Sequence, residues 1–76
     1  MPQFRPQVSY TDKKNERRSG QYLTYKDIRR KMLHFLNDSI DGEVSVYRSR
    51  RGRGFEYFER WRMIDNKPTI VKEGFQ

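Results

Sequence analysis

The chain has 76 residues and a mass of 9.4 kDa, enough for one small domain, which excludes a large enzyme architecture. Lysine and arginine number 17 against 10 acidic residues, so the formal charge is +7 and the isoelectric point about 10.1. This charge favours a polyanionic partner: nucleic acid, an acidic protein face or an anionic membrane. Arginine outnumbers lysine by 11 to 6. Because guanidinium groups bind phosphate bidentately and stack on bases, the ratio favours nucleic acid.

The sequence contains no cysteine, which excludes disulfides, thiol nucleophiles and cysteine-based zinc sites in this chain. It shows neither a signal-peptide pattern nor an apolar stretch of membrane-spanning length. We therefore expect a cytoplasmic protein without a membrane partner. His34 is the only histidine and has no partner at metal-ligand spacing, so we expect no metal and no cofactor.

Residues 1–22 contain two prolines, three glutamines and five basic residues, without a sustained hydrophobic period. This composition predicts a flexible basic arm that precedes a single small α+β domain over residues 23–76. The arm either orders along a phosphate backbone or stays a solvated tail. Its candidate phosphate-binding residues are Lys13, Lys14, Arg17 and Arg18.

A helix is predicted over residues 24–39. Thr24 can cap its first turn, and Asp27 three residues later is a weaker version of the capping-box acid. Apolar residues then recur at helical spacing, and the sequence 37–39 followed by Gly42 predicts the end. The apolar positions are Ile28, Met32, Leu33, Phe35, Leu36 and Ile40.

Three strands are predicted after the helix. Residues 43–50 alternate between apolar and polar side chains, and the glycines of 51–54 favour a hairpin loop. Residues 55–64 fit a strand or a helix; aromatic enrichment and the preceding loop favour the strand. A turn at 65–68 leads to a third strand at 69–72. The predicted fold is α+β: one amphipathic helix packed on a three-stranded antiparallel β-meander, in the order α-β-β-β.

The predicted hairpin tip is the strongest candidate binding site. It has four arginines in six positions, with glycines that permit a close approach of the backbone to a partner. These side chains can bind phosphates as those of a β-wing do. The competing interpretation is that their charge only keeps an exposed hairpin soluble. The four residues are Arg48, Arg50, Arg51 and Arg53.

Aromatic residues near this tip suit stacking on single-stranded bases. The competing interpretation is that they form the core, since apolar residues are few. In a strand, Phe58 points away from Tyr57 and Trp61 and shares a face with Arg60 and Arg62. Tyr47, Phe58, Arg60 and Arg62 are therefore secondary candidate contacts.

The predicted helix contains two weaker indications of a function. Lys26, Arg30 and Lys31 on the predicted helix suit phosphate or a membrane surface, but Asp27 dilutes their charge. A ribonuclease that uses His34 is a third hypothesis, without a supporting motif. We therefore expect no catalytic residues.

The leading hypothesis is a small, non-catalytic protein that binds DNA or RNA through its arginine-rich hairpin and N-terminal arm. The alternative is an interaction protein that binds an acidic face of a larger enzyme or assembly and modulates it. A homodimer that completes the small core stays an open alternative.

Overall fold

The computed structural model describes the backbone of residues 5–50 and 54–75 and the side chains of residues 5–48 and 57–74. Within these residues the chain forms five strands and two short helices. The elements are β1 (Gln7–Thr11), β2 (Arg17–Gln21), α1 (Tyr25–Arg30), α2 (Met32–Asp38), β3 (Glu43–Arg50), β4 (Gly54–Ile64) and β5 (Lys67–Phe75).

The strands form one sheet in the order β2-β1-β3-β4-β5, and every neighbouring pair is antiparallel. The prediction of a three-stranded meander with one helix is therefore wrong. The meander of β3, β4 and β5 exists, but it is extended on one side by a hairpin from the N-terminal part of the chain.

The prediction of a flexible arm over residues 1–22 is wrong for residues 7–21, which form the hairpin β1–β2; residues 1–4 lie outside the described part of the chain. Val8 and Tyr10 alternate with polar residues in β1 and are buried in the core. The buried carboxylate of Asp12 closes the turn, because it accepts hydrogen bonds from the N–H groups of Lys14 and Glu16, each at 2.9 Å. The sequence did not indicate this hairpin because β1 has only two alternating apolar residues and β2 has none.

The predicted helix over 24–39 is instead two helices that meet at Lys31. The predicted cap is confirmed: the Thr24 hydroxyl accepts the N–H of Asp27 at 3.2 Å. At Lys31 the N–H bonds to the carbonyl of Ile28, three residues back, at 3.0 Å. This tighter turn takes Lys31 out of the α-helical geometry and divides the helix.

The strand predictions for 43–50 and 55–64 are confirmed by β3 and β4, which pair as a hairpin from Glu43↔Arg62 to Arg50↔Gly54. Of the predicted hairpin loop at 51–54, residues 51–53 lie outside the described residues and Gly54 begins β4. The predicted turn at 65–68 narrows to Asp65 and Asn66, both with positive φ, as a two-residue hairpin turn requires. β5 is longer than the predicted 69–72.

The core lies on one face of the sheet. Val8, Val44, Val46 and Trp61 from β1, β3 and β4 are buried against both helices, and α2 lies over β3, β4 and β5. The helices contribute Ile28, Met32, Phe35 and Leu36. Side chains alternate along a strand, so the residues between these core positions point to the opposite face.

Candidate nucleic-acid interface

The face of the sheet opposite the helices is called the open face below. Its positions follow from the register: Ser9 lies opposite Ser45, and Ser45 lies opposite Arg60. Two residues along, Tyr47 lies opposite Phe58. Directly opposed residues of an antiparallel pair point to the same face, so one surface carries all five.

An aromatic pair stands at the end of the open face nearer the β3–β4 connection. Tyr47 and Phe58 are cross-strand neighbours and both half-buried. Phe58 in turn lies opposite Gly74 of β5. A Cβ atom on Gly74 would lie only 3.1 Å from Phe58 Cε1. The absence of a side chain at Gly74 therefore allows the Phe58 ring to lie across β5.

A row of cations and small hydroxyl residues follows the aromatic pair. Arg60 lies opposite Lys72, and Ser45 and Ser9 continue the row across β3 and β1. Because serine side chains are short, the surface is lower here than at its aromatic and arginine neighbours. The resulting groove has a volume of about 380 Å³, and Ser9 at its floor is only 5 % exposed. The groove is lined by Ser9, Arg17, Ser45, Tyr47, Phe58, Arg60 and Lys72.

Carboxylates stand at the opposite end from the aromatic pair. A second cavity of about 220 Å³ shares Ser9, Arg17, Ser45 and Arg60 with the groove and also contains Asp41 and Glu43. Hydrogen bonds from the Glu43 N–H and the Ser39 hydroxyl lower the pKa of Asp41. Arg62 lies 3.6 Å from the Glu43 carboxylate. This pairing reduces the attraction of Arg62 for an external anion.

The structure brings together some of the predicted contact residues. Tyr47, Phe58 and Arg60 from the hairpin meet Arg17 from the N-terminal segment in one groove. Arg17 belongs to the edge strand β2 and not to a free arm. Lys13 and Lys14 are exposed in the turn before it.

Other predicted contact residues lie apart from the groove. Arg18 points to the helix side and donates from Nε to Asp12 at 2.7 Å. Arg48 is half-buried and lies opposite Tyr57, on the face that carries Val46. The Arg50 side chain, and Arg51 and Arg53 entirely, lie outside the described residues, so their phosphate contacts stay a prediction.

Sequence reasoning missed Ser9, Ser45 and Lys72. Nothing in their local sequence distinguishes them from other polar residues of the chain. Only the pairing of β1 with β3 and of β4 with β5 brings them beside Arg60.

The remaining candidate surfaces lie on the helices. Lys26, Arg30, Lys31 and His34 are all exposed there. Among the described residues, no cluster of three or more histidine, cysteine or carboxylate side chains is arranged to hold a metal ion. Neither described helix has the length and apolarity needed to cross a bilayer.

Comparison with protein-family models, curated proteins and solved structures finds no significant match to this chain.

Proposed function

We propose that this chain binds single-stranded nucleic acid on the open face of its sheet, without catalysing a reaction. One observation carries the proposal: the aromatic pair Tyr47–Phe58 lies directly beside the cation pair Arg60–Lys72. Aromatic rings and cations in one groove are the two elements by which proteins hold single strands.

The aromatic pair supplies stacking surface. Every base has a π-face, and stacking on a protein aromatic contributes about 1–3 kcal/mol per base. The Phe58 ring lies over the backbone at Gly74 and therefore across the sheet. Bases in a duplex are already stacked on one another, so this arrangement favours single strands over duplexes.

The cations supply the attraction for the phosphate backbone. Arg60, Lys72 and Arg17 line the groove from three different strands, β4, β5 and β2. A strand that stacks on Phe58 can then pass its phosphates along the serine floor of the groove. Arg50 lies three positions after Tyr47 along β3, about 10 Å of extended chain. We therefore retain Arg50, Arg51 and Arg53 as additional proposed phosphate contacts.

The alternative occupant of the open face is an acidic protein surface. Arginine and aromatic side chains are also enriched at protein interfaces. The two hypotheses differ in salt dependence, because nucleic-acid binding releases counterions from the phosphate backbone.

The experiment is fluorescence anisotropy with labelled single-stranded DNA and RNA of about ten nucleotides, and the matching duplexes, at about 50 and 200 mM salt. Two double variants remove the same charge from opposite sides: Arg60→Ala/Lys72→Ala on the open face, and Lys26→Ala/Arg30→Ala on α1. We expect single strands to bind more tightly than duplexes. The open-face variant should weaken binding about tenfold or more and reduce the slope of log K against log salt by about 1.4, or 0.7 per phosphate contact.

The α1 variant should leave that slope nearly unchanged. Equal losses in the two variants would mean that net charge alone drives the binding. No binding of any oligonucleotide below about 100 μM at low salt would refute the proposal and favour the acidic protein partner.

A further inference from the structure

The two edges of the sheet are not equally protected. β5, at one edge, contains Pro68 and a register shift against β4 near Trp61, and both features impede the addition of another strand. β2, at the other edge, contains no proline and pairs with β1 over all five residues without a shift. β2 is therefore the edge at which the sheet can be extended.

The backbone groups that β2 presents outward follow from its pairing with β1. Hydrogen bonds of 2.9 Å from Asp12 N to Glu16 O and of 3.0 Å from Tyr22 N to Pro6 O flank the strand. In an antiparallel pair, bonded and non-bonded positions alternate. Arg18 and Gly20 therefore bond to β1, whereas the N–H and C=O groups of Arg17, Ser19 and Gln21 point away from the sheet.

A cavity adjoins this edge on the helix side of the sheet. It has a volume of about 150 Å³, and its walls include Val8, Tyr10, Gly20, Tyr22 and Phe35. Gly20 has no side chain to fill the space, and Arg18 and Ser19 of β2 line it as well. A Cβ atom placed on Gly20 would meet only Tyr22 Cε1, at 3.8 Å. The cavity is of the size and character to take one aliphatic side chain.

We propose that β2 accepts an extended peptide segment as a sixth strand, with an aliphatic side chain in the cavity beside Gly20 and a carboxylate beside Arg17. Outward backbone groups provide affinity in this mode of binding, and pockets for alternate side chains provide specificity. Arg17 is exposed at one end of β2 and favours an acidic partner, whereas the neighbouring Arg18 is paired with Asp12. This proposal does not require nucleic-acid binding on the open face, although Arg17 also lines the groove there.

The occupant is a different chain and not a second copy of β2. The β2 sequence Arg-Arg-Ser-Gly-Gln contains no carboxylate to pair with Arg17 and no aliphatic side chain to fill the cavity.

The probe is the capped peptide Glu-Thr-Thr-Leu-Thr-Thr-Glu, which reads the same in both directions. Its leucine can lie opposite Gly20 while a glutamate lies opposite Arg17, in either strand orientation. Control peptides replace the leucine by serine, or both glutamates by lysine. Binding is followed by ¹⁵N NMR of the full chain with peptide up to about 1 mM. We expect shifts and slowed amide exchange at Arg17, Ser19 and Gln21, and at least tenfold weaker binding of both controls.

Two variants test the geometry. Ser19→Pro removes an outward N–H that makes no bond to β1, so it should abolish peptide binding and retain the fold. Gly20→Val fills the cavity, so it should abolish binding even if Ser19→Pro does not fold. The proposal is overturned by binding that survives Gly20→Val, by shifts confined to the open face, or by no binding at about 1 mM. Sedimentation that shows self-association through β2 would overturn it in favour of a second copy.

Discussion

Arg29 of α1 donates from its guanidinium to the Oε2 atom of Glu59 on β4 at 2.7 Å, and the Glu59 side chain is fully buried. The same carboxylate accepts the Tyr57 hydroxyl at 2.7 Å and the Trp61 indole N–H at 2.9 Å. Three donors thus compensate the burial of a charge that would otherwise be strongly unfavourable. The carboxylate joins α1 to the strand whose opposite face carries Phe58 and Arg60.

Replacement of Glu59 should therefore destabilise the whole fold. Glu59→Ala removes the acceptor of Arg29 and of the Trp61 N–H, and one of the two acceptors of the Tyr57 hydroxyl, which also donates to Glu73 at 3.0 Å. It should lower the free energy of unfolding by about 3 kcal/mol. Glu59→Gln keeps an acceptor oxygen and should lower it less. Arg29→Ala should also lower it by about 3 kcal/mol, because it leaves the fully buried Glu59 carboxylate without its counter-charge. Urea unfolding followed by Trp61 fluorescence measures all three, and equal stability of the two Glu59 variants would contradict this interpretation.

The N-terminal hairpin should weaken in acid. Hydrogen bonds from the Glu16 N–H, the Arg18 side chain and the Lys14 N–H hold the pKa of Asp12 below its ordinary value of 3.8. Because the folded-state pKa is the lower one, this stabilisation is complete above the ordinary value and is lost as the pH falls through the folded-state pKa.

Asp12→Asn is the matched variant for this effect. The difference in unfolding free energy between the original protein and Asp12→Asn should be largest at neutral pH and shrink as the pH falls below the ordinary carboxyl pKa of 3.8. Urea titrations of both proteins across this range measure it. A difference that stays constant with pH would show that the Asp12 charge does not support the turn.

Alkaline pH should destabilise the core through Tyr10. Burial and the hydrogen bond that its hydroxyl donates to Asp38 raise the pKa of Tyr10 from 10.0 to about 12. Because the folded-state pKa is the higher one, the contribution to stability is complete below pH 10.0 and is lost as the pH rises toward about 12. Tyr10→Phe removes this ionisation, so its stability should fall less over the same range. Parallel alkaline curves for the two proteins would contradict the assignment.

Gly74 should affect binding through Phe58 without contacting the ligand. Gly74→Ala places a Cβ atom 3.1 Å from Phe58 Cε1, so the ring must shift by a few tenths of an ångström. We expect several-fold weaker binding of a single-stranded oligonucleotide, with little change in stability. Gly20→Ala is the matched control, since its Cβ meets only Tyr22, at 3.8 Å. Indistinguishable affinities of the two variants would refute a stacking role that depends on the position of the Phe58 ring.

The sequence predicted those structural elements that depend on residues close together in the chain. The Thr24 cap, β3, β4 and the turn at Asp65 and Asn66 each follow from residues close together in the chain. β2 has no apolar residue, and its place in the sheet depends on pairing with β1. The break at Lys31 also has no marker in the sequence, because the apolar period continues through it.

Some residues of the candidate site could likewise be predicted from local sequence, and others could not. Alternation along a strand placed Phe58, Arg60 and Arg62 on one face as soon as residues 55–64 were taken as a strand. The groove itself needs Ser9 from β1 and Lys72 from β5. These residues come together only through non-local pairing, whose register a single sequence does not reveal.

The most direct test of the central claim is ¹⁵N NMR of the full chain titrated with a single-stranded oligonucleotide of about eight nucleotides. The open-face site predicts the largest amide shifts at Ser45, Tyr47, Phe58, Arg60 and Lys72, with small shifts at the exposed helix residues Lys26, Arg30 and Lys31. Largest shifts on the helices, or no shifts at all, would contradict the assignment of the open face as the nucleic-acid interface.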